Sequence, residues 1–410
     1  MKRTLFCVLA AMCLAATTAR ADDAAKFELA EGERIVLIGD TLIERDQSQG
    51  YLETRITAAN PEKSFVFRNL GWSGDTVFGA ARAGFGTEAD GFHQLKEHVI
   101  ALKPTLIIVG YGMSDSFQGE TGLPRFVAGL NALLDSMAVT KARFVLLSPI
   151  MHENLGRPLP DPTPHNRALK LYCDAIEQAA LQRGYRYVNL FEKNGPADER
   201  LTDNGIHLTR CGYWVIAKLI ESNLWPDRQH DQGLVEVSRD GTVLASQHCE
   251  VSEVRPTSEG IRFKCSFQTL PPPLLQADSP RTNVPAEKSR ELRVIGLAAG
   301  RYGLKIDDTA IGTHTAQEWQ GGVSWTSGPE FDQVERLRQA IVAKNQLYFY
   351  RWRPQNETYL FGFRKHEQGQ NAREIPLFDP LVDAQEKVIA HLRVPLPHVY
   401  ELTRKSEAAQ

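Results

Sequence analysis

The sequence predicts an α/β protein: a parallel sheet covered by helices on both faces, followed by a small antiparallel β module and C-terminal helices. Three observations carry this. Residues 34–225 alternate short apolar runs with longer amphipathic ones, the rhythm of β-α-β units. The short runs are continuous in Val, Ile and Leu rather than alternating, which suits strands buried on both faces. After Trp225-Pro226 the runs become short and β-like, and from Glu330 the pattern turns helical.

The strand-like runs of the first region are RIVLIG (34–39), FVFRNL (65–70), TLIIVG (105–110), RFVLLSP (143–149) and YRYVNLF (185–191). Helix-like stretches near 50–60, 90–102, 124–138, 164–183 and 210–223 separate or follow them, with Thr140-Lys141 and Gly184 punctuating helix ends. In the second region LVEVS, TVLASQHCEV, GIRFKCSF, ELRVIGL and YGLKI read as strands, interrupted by a Pro-rich stretch, Leu270 to Pro285, that reads as an exposed loop. The third region opens with the helical run EFDQVERLRQAIVAKNQLYFYRWR, and Asp383 to Arg393 forms another helix. The expected domains are 30–228, 229–320 and 321–410.

At the N-terminus, Lys2 and Arg3 precede an apolar run from Leu5 to Ala16 and then Ala19-Arg20-Ala21. That is the pattern of a secretory signal peptide spanning 1–21, so the expectation is a secreted or periplasmic protein with no integral membrane segment after cleavage. The chain has 410 residues, 42% hydrophobic and 24% charged, with net charge −3. Losing the segment removes three basic residues and no acid, which moves the charge to −6. This balance gives no reason to expect nucleic acid as a partner. Four cysteines remain, Cys173, Cys211, Cys249 and Cys265, without C-x-x-C or zinc spacing. Export permits a Cys249–Cys265 bridge between two strand-like runs; two unpaired buried thiols fit equally well.

The strand ends carry the chemistry. The first ends in Gly39-Asp40-Thr41-Leu42, the second in Asn69-Leu70-Gly71-Trp72-Ser73-Gly74-Asp75-Thr76, and the third in Gly110-Tyr111-Gly112-Met113-Ser114-Asp115. Thr202-Asp203-Asn204-Gly205-Ile206-His207 precedes the last helix. A parallel sheet brings such segments to one edge. A hydroxyl, backbone amides from Gly-rich turns and a histidine are the parts of an acyl-transfer site.

These blocks resemble the SGNH/GDSL hydrolase family over about residues 30–225. Gly39-Asp40-Thr41-Leu42 looks like the G-D-S-L nucleophile block, Gly74 matches the oxyanion-hole glycine, Gly112-Met113-Ser114-Asp115 looks like G-x-N-D, and Asn204-Gly205-Ile206-His207 looks like D-x-x-H. Longer stretches such as NLGWSGDT resemble a group of secreted bacterial proteins of planctomycete type. The resemblance implies a flavodoxin-like three-layer αβα fold and ester hydrolysis without a cofactor or metal. Thr41 would attack, His207 would serve as base and acid, and Thr41, Gly74 and Ser114 would form the oxyanion hole. The substrate would be a small-molecule or glycan ester, most directly an acylated carbohydrate.

Three of the four signature side chains depart from the family pattern. Threonine stands for serine at Thr41, serine for asparagine at Ser114, and asparagine for aspartate at Asn204. A threonine methyl crowds the attack trajectory and stiffens χ1. Asn204 lacks the charge that stabilises imidazolium; Asp203, one residue earlier, is the candidate replacement carboxylate. The alternative is an SGNH-fold pseudoenzyme that binds glycan or a cell-envelope partner without catalysis. Asp40, His152 and Glu153 are candidate substrate contacts, although Asp40 and Asp75 also suit backbone hydrogen bonding in their turns. Tyr348, Tyr350, Trp352 and Tyr359 interleave with Arg351, Arg353 and Arg364, a pattern that fits either a sugar-binding face or packing against the first domain. No G-x-x-x-x-G-K-[ST], G-x-G-x-x-G or H-E-x-x-H occurs, so nucleotide binding and zinc peptidase chemistry have little support.

Overall fold

The computed structural model describes residues 27–192, 200–226, 232–275, 287 and 289–406. The signal-peptide segment and part of the Pro-rich stretch lie outside these residues. The first region contains β1 (Glu33–Gly39), α1 (Thr41–Asp46), α2 (Tyr51–Ala58), β2 (Phe65–Asn69), α3 (Glu88–Ala101), β3 (Leu106–Gly110), α4 (Met113–Ser116), α5 (Gly119–Met137), β4 (Arg143–Leu147), α6 (Thr163–Arg183), β5 (Arg186–Val188) and α7 (Arg210–Leu224). The five strands form one parallel sheet in the order β2-β1-β3-β4-β5.

The continuous apolar runs have a direct physical cause. Successive strand residues point to opposite faces, so a strand buried on both faces needs an apolar residue at every position. Ile35 and Leu37 of β1, with Ile108 and Val145, pack against α2 and α7. Val36 and Ile38, with Ile107, Val109 and Leu146, pack against α3, α5 and α6 on the other side. Strand order reverses at β1, which β2 and β3 flank, so the crevice beyond the β1 and β3 ends is the place for a ligand. There Gly39 pairs with Gly110, and a Cβ on Gly39 would lie 2.3 Å from the Gly110 carbonyl oxygen. Only glycine allows that approach.

The β region holds β6 (Gly233–Ser238), β7 (Val243–Gln247), β8 (Cys249–Pro256), β9 (Gly260–Phe267), β10 (Arg290–Ile295), β11 (Arg301–Ile306), β12 (Thr309–Thr315), α8 (Ala316–Gly321) and β13 (Val323–Ser324). It is followed by α9 (Pro329–Trp352), α10 (Glu357–Leu360), α11 (Lys365–Gln368), α12 (Phe378–Leu392) and β14 (His398–Arg404). Two sheets, β13-β10-β6-β7 and β12-β11-β14-β9-β8, share one core that includes Val235, Leu292, Phe263, Leu304 and Leu402. The pattern differs from the expectation in two respects. The β6 and β10 strands pair in parallel within the otherwise antiparallel module. The C-terminal region is also not purely helical: β14 returns to the module and pairs with both β11 and β9. Its alternating burial, His398, Tyr400 and Leu402 inward, is the period-two signal of a half-buried strand.

Cys173, Cys211, Cys249 and Cys265 are buried, and none of the four forms a disulfide among the described residues. Cys249 and Cys265 sit on neighbouring strands, each opposite a different partner residue. The α9 helix docks on the first region through buried polar groups. Lys344 Nζ donates to both Glu53 carboxylate oxygens at 2.8 Å, and Arg338 donates to the Gln49 carbonyl at 2.8 Å. No helix among the described residues is long and apolar enough to cross a membrane.

Candidate active site

Asp40 leaves β1 and caps α1, its carboxylate accepting the Leu42 N–H at 3.1 Å. Capping therefore falls to Asp40, and the half-buried Thr41 hydroxyl is available to the crevice. Thr41 Oγ1 accepts the Gly74 N–H at 3.2 Å. Burial pushes the Asp40 carboxyl up to about 7, aided by the charge of Asp75 and opposed by the Leu42, Ser114 and Met113 amides. Gly74 sits at φ +74° in the turn after β2, a left-handed position that favours glycine. Asp75 anchors that turn from below: its carboxylate takes Arg82 Nε at 2.7 Å, the Tyr111 hydroxyl at 3.0 Å and the Ala81 N–H at 3.1 Å. From α1, Glu44 accepts the Ser73 N–H with one carboxylate oxygen and Arg353 Nη1 at 3.0 Å with the other.

His207 lies on a tight turn. Thr202 and Leu208 form an antiparallel bridge, and Asp203 N–H donates to the His207 carbonyl at 2.9 Å. Thr209 then caps α7 through the Gly212 N–H. Asn204 folds back on the turn: its Oδ1 accepts the Ile206 N–H at 3.2 Å and the His207 N–H at 2.9 Å. These two donors fix the amide orientation, which leaves Nδ2 at 3.0 Å from His207 Nδ1. An NH₂ group can only donate there. Nδ1 is consequently the acceptor, and the ring proton sits on Nε2.

A cavity of about 280 Å³ joins these parts. Asp40, Thr41, Gly74, Ser114 and His207 line it, together with Tyr111, Met113, Phe117, Pro149, Ile150 and Ile206. No direct hydrogen bond joins Thr41 to His207 among the described residues, although both face this space. Three expected site residues stand elsewhere. Asp203 is exposed and lies 3.6 Å from Arg45 Nη1, making no hydrogen bond to the His207 ring. The Glu153 carboxylate is occupied by the Thr202 N–H at 2.9 Å, the Thr202 hydroxyl at 2.6 Å and the Leu201 N–H at 3.2 Å, so it clamps the histidine turn instead of facing the cavity. His152 Nδ1 contacts His165 Nδ1 at 2.9 Å, and its ring lies against Gly205, where a Cβ would come within 2.7 Å. Among the described residues no group of three or more His, Cys, Asp or Glu gathers as a metal site.

The arrangement matches known proteins in one respect and their fold in another. Residues 37–215 match the model of the GDSL-like lipase/acylhydrolase family. The domain over residues 37–215 is a member of the SGNH/GDSL hydrolase family. The chain's fold is similar to that of a gut microbial diltiazem-metabolizing enzyme, at a TM-score of 0.72 and 15% identity, covering 93% of this chain and 100% of that one. An acetylxylan esterase from Geobacillus stearothermophilus aligns over 48% of this chain and 95% of its own, at 20% identity and a TM-score of 0.38. An α/β hydrolase from the metagenome of Lake Arreo, Spain, covers 48% and 96%, at 21% identity and 0.38. No curated protein matches the chain in sequence.

Within this SGNH/GDSL site, Glu44, Arg45, Phe117 and His165 escaped the reading of the sequence. Glu44 and Arg45 follow Thr41 by three and four residues, the spacing that puts helix residues on one face, and that signal was available. The Arg/aromatic segment resolves as packing: Arg353 lies 3.4 Å over the Trp72 ring, Arg68 lies 4.8 Å over Tyr348, and Trp352 meets Trp72 edge to face.

His207 is held below the ordinary histidine range, first by burial and then by Arg45, while Asp203 works in the opposite direction. The acid limb of kcat/KM is therefore expected below about pH 6.5. Arg45→Gln removes a cation beside the ring, so imidazolium forms more readily and the limb moves to higher pH. Asp203→Asn moves it lower. Profiles of the two variants that coincide with wild type would remove His207 from the titration.

Proposed function

We propose that this protein is an exported ester hydrolase that removes a small acyl group from a carbohydrate, with Thr41 as nucleophile. The observation that carries this reading is the Gly74 N–H aimed at Thr41 Oγ1 in a cavity shared with His207. In the reaction Thr41 Oγ1 bonds to the ester carbonyl carbon as its proton passes to His207 Nε2. The carbonyl electron pair moves to oxygen, where the Thr41 and Gly74 amides receive it. Collapse breaks the ester C–O bond, and His207 returns the proton to the departing alcohol. Water then cleaves the acyl-threonine by the same sequence. A cavity of this volume suits a short acyl chain. His207 must first shift its proton from Nε2 to Nδ1, giving up the Asn204 hydrogen bond, so slow turnover is expected.

Hydrolysis of phenyl acetate and of an acetylated methyl pyranoside by wild type, Thr41→Ala and Thr41→Ser tests the reading. Turnover disappears in Thr41→Ala and rises in Thr41→Ser, which frees the trajectory of the methyl group. Equal rates in wild type and Thr41→Ala would remove Thr41 as nucleophile. One observation favours a second reading, a non-catalytic glycan-binding protein: the Asn204 amide holds His207 in the tautomer whose Nε2 already carries its proton and cannot accept another. Saturable binding of methyl pyranoside with no ester turnover in any of the three proteins supports that reading instead.

A further inference from the structure

Phe117 is 57% exposed and lines the cavity. Its ring is not left to move freely. It stacks on the imidazole of His165 with centroids 4.3 Å apart and planes 14° from parallel. His165 is in turn held at both nitrogens, by Ser116 Oγ at 2.9 Å on Nε2 and by His152 Nδ1 at 2.9 Å on Nδ1. Ser116 Oγ donates to the Met113 carbonyl at 2.7 Å, so it accepts from His165 Nε2–H. His165 Nδ1 then accepts from His152 Nδ1–H. The His152 backbone is fixed on both sides by Asn166, whose Oδ1 accepts the His152 N–H at 2.9 Å and whose Nδ2 donates to its carbonyl at 2.8 Å. A relay of four side chains thus locks one face of an exposed aromatic ring.

An immobilised aromatic with one face covered and one exposed at a cavity rim is built to stack against a second flat apolar surface. We propose that Phe117 is the platform of a leaving-group subsite, which takes the flat apolar face of a ring borne by the alcohol part of the ester. This deepens the hydrolase reading and rests on it for the word leaving group. The reacting carbonyl belongs inside, between Thr41 and Gly74, and the enclosed space there suits a small acyl group; the larger ring-bearing part extends over the rim. A pyranose and an aryl ring both present such a face. A linear alkyl chain does not, and it gains less from a planar surface. The platform also gives His152 a positioning role through His165, in place of direct substrate contact.

The test compares KM for phenyl acetate, an acetylated methyl pyranoside and n-butyl acetate in wild type, Phe117→Ala and Phe117→Trp. Phe117→Ala is expected to raise KM for a ring ester about tenfold more than for n-butyl acetate, as loss of one stacking contact implies. Phe117→Trp restores the preference. An effect on phenyl acetate alone assigns the subsite to aryl rings, and an effect on the pyranoside assigns it to sugars. Equal changes for all three esters, or none, overturn the platform while Thr41-dependent turnover still upholds the hydrolase. Conversely, saturation-transfer NMR with methyl pyranoside and with phenol reads binding without reaction. Binding that survives Thr41→Ala and is lost in Phe117→Ala upholds the platform even where no ester is turned over. Absence of both binding and turnover overturns it.

Discussion

Asn204→Asp is expected to raise kcat on phenyl acetate by about 10²- to 10⁴-fold, taking as its guide the loss of about 10⁴-fold when a triad aspartate becomes asparagine. The turn already accepts from two backbone amides at Asn204 Oδ1, and an aspartate oxygen does the same. Its second oxygen then replaces Nδ2, 3.0 Å from His207 Nδ1. The replacement reverses the polarity of that hydrogen bond. Nδ1 becomes a donor, Nε2 presents its lone pair to the cavity, and the imidazolium formed during attack gains a counter-charge. A second signature accompanies the rate: the His207 pKa rises, because a carboxylate beside the ring favours its charged form. Nitrogen chemical shifts of His207 report the tautomer directly, Nε2–H in wild type and Nδ1–H in the variant. An unchanged kcat with the tautomer reversed would mean that His207 is not the base.

The layered fold was legible because its central strands, β1, β3 and β4, are buried on both faces and carry near-continuous apolar runs. The helices were legible through their amphipathic spacing and through caps such as Gly184 after α6. The last strand was not, because β14 follows a helix closely and pairs with β11 and β9, far upstream. Its period-two pattern is local, but the partners that make it a strand lie about a hundred residues away.

The site divides along the same line. Thr41, Gly74, Ser114 and His207 could be found because each sits at a fixed offset from a strand end or helix start. Their supports could not. Whether Asp203 or Asn204 faces the imidazole depends on which side chain the turn directs inward, and the backbone hydrogen bonds of that turn select Asn204. Glu153 was found as a charged loop residue, but the amides it clamps are some 48 residues further on. His152 and His165 are separated by 13 residues and meet only because α6 returns beside the loop after β4. Arg353 was noted for its aromatic neighbours, and the structure turns it toward Trp72 and Glu44.

That last contact ties the C-terminal region to the turn that carries Gly74. Glu44 bridges the Arg353 guanidinium and the Ser73 N–H, one residue before the Gly74 donor. Trp72, one residue further back, is held between Arg353 at 3.4 Å and Arg82 at 5.4 Å from its ring centroid. Arg353→Ala is therefore expected to lower kcat by up to about 10²-fold, the lower range for loss of one oxyanion donor, with little change in KM. The asymmetry follows from where the charge is. The Gly74 amide meets full negative charge only as the tetrahedral intermediate forms, so misplacing it penalises the transition state more than the bound ester. Arg353→Lys keeps the charge opposite Glu44 and loses the planar stacking on Trp72. It should fall between wild type and alanine. Glu44→Gln reproduces the alanine effect from the other end of the bridge, since its amide cannot serve both Arg353 and the Ser73 N–H as a carboxylate does. Amide hydrogen exchange at Ser73 and Gly74 gives a readout independent of any substrate: it accelerates in Arg353→Ala while exchange in β1 and β3 stays slow. A rise in KM with kcat intact, or unchanged exchange at Gly74, would show that α9 supports the domain without holding the oxyanion hole.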